Sequence, residues 1–356
     1  MRRIGIIVAT LGVLLLAFAA VLRFAIVPAQ KQLPSDTNKV RHYAGTATTL
    51  LNAQAVTSGN LGTLFLHNVP LTIDRAVKVT DTSGQKAVVT ELRTVKSADG
   101  TQLSRTTYTY AVDRKSLEPV AAFGAKTVTT VPGRALTISW PFGTTKQDYT
   151  AYVVDTQGGV AAKYSGQAKV DGLNTYVFKV DLPATRITDA QTLTGYPQAL
   201  PRSLLSVLPK ALGLPAAQAT ALGRLLQAMP DPVPITYLYS GQTTLWVAPD
   251  TGTIVKTTKA ETRQAVLTVP GQSAPVPLTT VAQLTYTQTP ASVSQAVNDA
   301  KDATSAITLY GTTLPLIGLI VGVGLTGAGL YLILRRRPPA AMVHPRHEQI
   351  TPELSR

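Results

Sequence analysis

Two uncharged apolar segments bracket this chain, and each carries arginines on its outer flank. The first runs from Ile4 to Leu22 behind Arg2 and Arg3. The second runs from Leu314 to Leu334 and stops at Arg335, Arg336 and Arg337. As helices, both are long enough to cross a hydrocarbon core of about 30 Å. A chain held at both ends in this way keeps everything between on one side of a membrane. Lys and Arg collect on cytoplasmic flanks. Both termini are therefore expected inside, with a large extracytoplasmic domain between them: a two-pass plasma-membrane protein.

The first segment also has the charge and apolar length of a secretory signal peptide. Its exit, Arg23-Phe24-Ala25-Ile26-Val27-Pro28, offers no small-x-small cleavage site, so an uncleaved anchor over 4–27 is expected. Arg23 is expected to snorkel to the headgroups. In the second segment, Gly318 and Gly322 make a small-xxx-small pair that lets two helices approach closely. Gly12 is placed to face them. The plainer reading is that glycine is common in membrane helices. The tail 335–356 is basic and proline-bearing and is expected to be disordered.

The chain has no cysteine. That removes a disulfide framework, thiolate chemistry and Cys-ligated metals. Part of its formal charge of +14 belongs to the membrane flanks. The remaining positives are scattered, which reads as a solvated surface. A basic exterior domain also suits anionic lipid headgroups or acidic glycans. The outside location argues against nucleic acid.

The middle reads as short strands. Val77, Val79 and Val88 flank the turn Asp81-Thr82-Ser83-Gly84-Gln85, and Ala98-Asp99-Gly100 is a second hairpin signal. Tyr108, Tyr110 and Val112 alternate on one face. Gly133 to Phe142, Tyr149 to Val154, Val160 to Val170 and Asn174 to Val180 are strand-like, with turns at Asp155–Gly159 and Asp171-Gly172. Ile235–Tyr239 and Thr243–Val247 follow, then Pro249–Gly252 as a turn. Tyr108–Lys115 and Thr244–Thr251 are both aromatic strands running into an Asp-containing turn, which hints at two related β-units.

Residues 196–232 break this pattern. Pro201–Leu208 and Pro215–Met229 read as two short helices, separated by Pro209 and Gly213. Leu222, Leu225, Leu226 and Met229 share one helical face. That face either completes the core or forms an apolar lid over a ligand groove. A last helix, Ala291–Leu309, carries Val293, Ala296, Val297, Ala300, Thr304 and Ile307 as a stripe and is expected to act as a stalk. The fold class is thus a mainly β ectodomain of antiparallel meanders with a short helical insertion, flanked by two transmembrane helices. Its expected segments are 1–3 cytoplasmic, 4–27 spanning, 28–185 β-rich, 186–232 helical, 233–290 a second β-unit, 291–311 stalk, 312–334 spanning and 335–356 tail.

Chemistry is sparse. His42 and His67 are the only histidines outside the tail, which holds His344 and His347. No H-E-x-x-H or G-x-S-x-G motif occurs. Asp81, Asp99, Asp155, Asp171 and Asp250 lack calcium-loop spacing and fit hairpin turns better. No catalytic, metal or cofactor residue is assigned, and no enzyme activity is expected.

The order of several motifs carries a resemblance. They are Leu33-Pro34-Ser35-Asp36-Thr37, Tyr43-x-Gly45-Thr46, Tyr110–Leu117, Pro141–Tyr149 and Leu245-Trp246-Val247-x-Pro249-x-Thr251-Gly252, set between two spans. Together they resemble the actinobacterial DUF3068 family, also called the PorA porin family, over nearly the whole chain. The resemblance implies a cell-envelope protein of a high-GC Gram-positive bacterium. A membrane barrel needs closed strands with an outward apolar band, whereas this chain offers helical spans without a polar stripe. The leading expectation is a membrane-anchored envelope protein whose β-domain binds a lipid or lipoglycan. A scaffold with a protein partner, and a channel, are the alternatives.

Overall fold

Runs of alternating apolar and polar residues fold as hairpins where the turn between them tolerates positive φ. Asp171-Gly172 is such a turn, with φ of 45° and 79°, as two-residue hairpin loops require. The computed structural model describes residues 2–58, 60–124, 127–211, 215–269 and 274–335. It divides into two units, one of residues 28–308 and one pairing the two chain ends.

In the larger unit, β1 (Asn38–Leu51) leads through a short helix at Ala53–Ser58 into the meander β2 (Phe65–Ser83), β3 (Lys86–Ser97) and β4 (Gln102–Asp113). β5 (Tyr149–Val153), β6 (Gly158–Val170) and β7 (Leu173–Arg186) form a second meander. A ribbon of β8 (Ala199–Leu200) and β9 (Val233–Pro234) encloses the helical insertion. β10 (Thr236–Val247), β11 (Ile254–Leu267) and β12 (Val276–Gln288) complete the set. The ten long strands make one antiparallel sheet in the order β4-β3-β2-β1-β12-β11-β10-β7-β6-β5. Strands of 28–185 and 233–290 thus share a single sheet. The two runs expected at Ile235–Tyr239 and Thr243–Val247 are one strand, bulged near Gly241.

The sheet curls into a half-barrel. Tyr110 on one edge strand meets Tyr152 on the other, with ring centroids 6.1 Å apart. The segment Gly133–Phe142, expected as a strand, joins no ladder. Its Leu136, Ile138 and Trp140 alternate as a strand would, and all three are buried. They point into the concave face of the sheet and pack with Tyr110, Phe178 and Val247. The backbone is satisfied piecemeal: Leu136 N–H donates to Thr150 O at 2.8 Å, and Trp140 N–H donates to Gly252 O at 3.0 Å. Gly252 has φ +69°, and a Cβ there would strike the Trp140 carbonyl.

The insertion forms helices at Arg202–Ala211 and Ala216–Gln227. Pro209 lies inside the first rather than ending it. Near a C-terminus the missing N–H costs only one late bond. Gly213 falls outside the described residues, as does the tail from 336 onward. The last helix of this unit, Pro290–Thr308, buries Val293, Ala296, Val297 and Ala300 against Val170, Ala248 and Val255. Large apolar side chains left exposed among the described residues of this unit are Val40, Leu66 and Val207.

Candidate functional site

In the smaller unit, the helix Arg2–Val21 lies antiparallel to the helix Leu314–Leu334. Small residues allow the approach. A Cβ on Gly12 would stand 2.7 Å from Gly322 O and 2.6 Å from Thr326 N, and one on Gly318 would meet Ala19 Cβ at 3.0 Å. Gly5 likewise stands against Gly329. Each helix carries one π-helical turn at the same end of the pair, Leu22–Ile26 and Leu309–Thr313. Arg23 donates from Nη1 to Gly311 O across them at 3.1 Å. Large apolar side chains, among them Ile4, Phe18, Ile320 and Leu334, face outward.

Leu222, Leu226 and Met229 are buried with Leu205, Ile235, Tyr237 and Leu267, and Leu225 packs against that cluster. Next to it lies a small cavity of about 50 Å³ lined by Leu204, Leu205, Leu208 and Tyr237, not by those four residues. The face identified from helical spacing lies in a closed core. His42 sits at the surface with Nδ1 2.6 Å from Asp74 Oδ1, and His67 Nδ1 lies 3.3 Å from Thr48 O. Neither lines a cavity described below.

Two adjoining spaces open inside the half-barrel instead. The first is a groove of about 730 Å³. Leu33, Val77, Leu117, Ile138, Trp140 and Ile307 give it apolar walls, and Lys39, Arg41 and Arg114 also line it. Ala303, Ala306 and Ile307 of the helix Pro290–Thr308 form one side. Volumes of this size suit drug-sized ligands. Asp299 in the groove wall bonds Lys39 at 2.9 Å and Arg41 at 2.7 Å. Burial would raise its carboxyl, but bonds from Lys39 and Arg41 hold it below the usual range.

The second space is an inner cavity of about 150 Å³. Arg75, Trp140 and Ile254 line both, so the two adjoin. A belt of charges surrounds it. Arg75 holds Glu91 through two hydrogen bonds of 2.9 Å. Lys259 Nζ lies 2.7 Å from Glu261 Oε2, and Arg263 bridges Glu261 at 3.2 Å to Asp155 at 2.8 Å. Tyr239 donates to Glu261 Oε2 at 3.2 Å. Burial opposes the charge on Glu261, yet Lys259 and Arg263 overcome it and hold the carboxyl well below its ordinary value. Glu91 is shifted the same way, burial being outweighed by Arg75.

This belt is what the sequence reading missed. Scattered positives predict a solvated surface; Arg75, Lys259 and Arg263 are largely buried instead. Burying charges is costly unless they are paired, and the pairing here is nearly complete. Lys259, Glu261 and Arg263 alternate along β11 in the register of its inward apolar residues. A charged run in that register was the available signal.

An open antiparallel β-domain between two apolar helices, with a groove leading to a charged interior, defines the class: a membrane protein with a ligand-sized internal space. The Porin PorA family model matches residues 4–331. The chain belongs to the PorA porin family. No curated protein matches it. Among solved structures, a double mutant of the Rh. blastica porin is 8% identical, with 71% of this chain and 99% of that chain covered, at a TM-score of 0.18. A MaoC-like dehydratase is 12% identical over 71% and 76%, at 0.13. Scores that low define no shared fold.

Proposed function

We propose that this chain is a two-pass envelope protein, both termini cytoplasmic, whose extracytoplasmic β-domain holds an amphiphilic lipid. The groove carries this reading: about 730 Å³ with apolar walls and with Lys39, Arg41 and Arg114 among its lining residues. Apolar walls suit acyl chains, and cationic residues suit anionic headgroups. In sequence the groove's Leu33 and Ile307 stand close to the two apolar helices. The contacts of Gly12 with Gly322 and of Gly318 with Ala19 serve to hold those helices together as one anchor. Lipids extracted from the purified full-length protein and identified by mass spectrometry test the reading. A bound lipid is expected, and Ala303→Phe should deplete it by narrowing the groove. A folded protein that carries no lipid in either form would sink the proposal.

The family name favours a second reading, a pore. A membrane barrel needs an outward apolar band, and the outer face of this sheet lacks one among the described residues. A pore would have to form from the helices of several copies. Conductance in planar bilayers, compared between the native protein and Gly322→Val, tests it.

A further inference from the structure

Four buried polar atoms of the inner cavity have no partner among the described residues: Tyr110 Oη, Tyr152 Oη, Trp140 Nε1 and Thr137 Oγ1. All four residues line the same cavity. Tyr110 is fully buried and Trp140 is 3% exposed. Unpaired buried donors cost about 1–3 kcal/mol each, so several around one space point to something that fills it. Trp140 Nε1 can only donate, and both tyrosine hydroxyls and the threonine hydroxyl can donate.

The charge balance points the same way. Among Arg75, Arg93, Lys259 and Arg263, against Glu91, Asp155 and Glu261, one cation is in excess. That cation is Arg93. Among the described residues its guanidinium makes a single ion-pair contact, 3.5 Å from Glu91 Oε1. The side chain keeps 30% of its surface uncovered and lines the cavity. Burial raises the Tyr110 hydroxyl above its ordinary value, so it stays protonated and donates.

We infer that the inner cavity seats the phosphate group of the amphiphile, bound by Arg93, Tyr110, Tyr152, Trp140 and Thr137. This rests on the groove reading above, which supplies the way in. A singly charged phosphodiester neutralises the excess cation. Its two charged non-bridging oxygens, each able to accept more than one bond, meet donors arriving from several sides, and the cavity has room for a group the size of several waters. Charge-assisted hydrogen bonds are the strong ones. Two sources of the group are open to test, a lipid headgroup and free phosphate.

The experiment uses the full-length protein in zwitterionic detergent, read by thermal shift and by titration. The probes are short-chain phosphatidylglycerol, the matching diacylglycerol, oleate and inorganic phosphate. The expected result is protection by phosphatidylglycerol, little by the other lipids, and weak protection by phosphate alone. Arg93→Gln and the pair Tyr110→Phe with Tyr152→Phe should each weaken phosphatidylglycerol binding by roughly ten- to a hundredfold. The phenylalanine pair keeps the core shape and removes two unpaired hydroxyls, so unliganded stability should hold or rise. If diacylglycerol or oleate binds as tightly as phosphatidylglycerol, or the variants bind unchanged, the phosphate seat is wrong while the groove stands. If inorganic phosphate binds as tightly as the lipid, the seat stands and the lipid source is wrong. If no amphiphile binds, the groove reading falls and takes this inference with it.

Discussion

The two units of this protein are built inside out relative to each other. The helical pair turns Ile4, Phe18, Ile320 and Leu334 outward and keeps glycines at its contact. The half-barrel leaves few large apolar side chains exposed and keeps arginines, a lysine and carboxylates within. Each pattern answers its solvent. In hydrocarbon, burial of apolar surface drives nothing, so the helices rely on close backbone approach through small residues. In water, apolar burial drives folding, and the strand interior holds its charges mostly as pairs.

The comparison breaks most easily at the charged belt. Glu261→Gln strands Lys259 and leaves Arg263 with Asp155 alone, and chemical denaturation should show a loss of about 3–5 kcal/mol. The same belt sets an acid limit. Glu261 and Glu91 are held below the ordinary carboxyl range in the folded protein. The stability they contribute is complete above the unfolded glutamate value of about 4.3 and is lost as pH falls from there through their lower folded values. A melting curve series from pH 6 downward reads it directly, and a flat profile would contradict the belt.

A smaller effect is expected at the helical insertion. Leu226 is 2% exposed in a closed cluster, so Leu226→Ala should cost about 2–5 kcal/mol. A change within about 0.5 kcal/mol, as for a surface position, would restore the lid reading. Smallest is the contrast inside the helical pair. Gly12 stands against the neighbouring helix, whereas a Cβ on Gly324 would meet nothing within 4 Å. Gly12→Val should cost about 1–3 kcal/mol by overpacking, measured by thermal unfolding in detergent, and Gly324→Val should be close to neutral. Equal effects would mean the glycines serve no contact.

Much of the fold is legible along the chain because it is local. The turns near Gly84, Gly100 and Gly172 mark hairpins, and all three glycines have positive φ. The helix expected at Ala291–Leu309 runs from Pro290 to Thr308. What is not legible is long-range. Leu136, Ile138 and Trp140 alternate like a strand, and nothing local says that their partners are a glycine carbonyl far along the chain and the inside of a sheet. Leu222 and Leu226 share an apolar face in either a core or a lid, and only the elements packed on it decide. The site is the hardest part. Arg75, Glu91, Arg93 and Glu261 come from three strands, and their convergence depends on pairings such as β1 with β12 that no local pattern encodes.

That last pairing has a mechanical meaning. The start of β1 lies beside the end of β12, with Tyr43 opposite Gln288. The domain is therefore a loop of chain whose two leads, the entry to β1 and the exit from β12 into the helix Pro290–Thr308, start side by side. Tension pulling those leads apart would load the β1–β12 ladder from one end and part its hydrogen bonds one after another, as a zipper opens. The same two strands, at the centre of the sheet, are where such a load would reach the ladder.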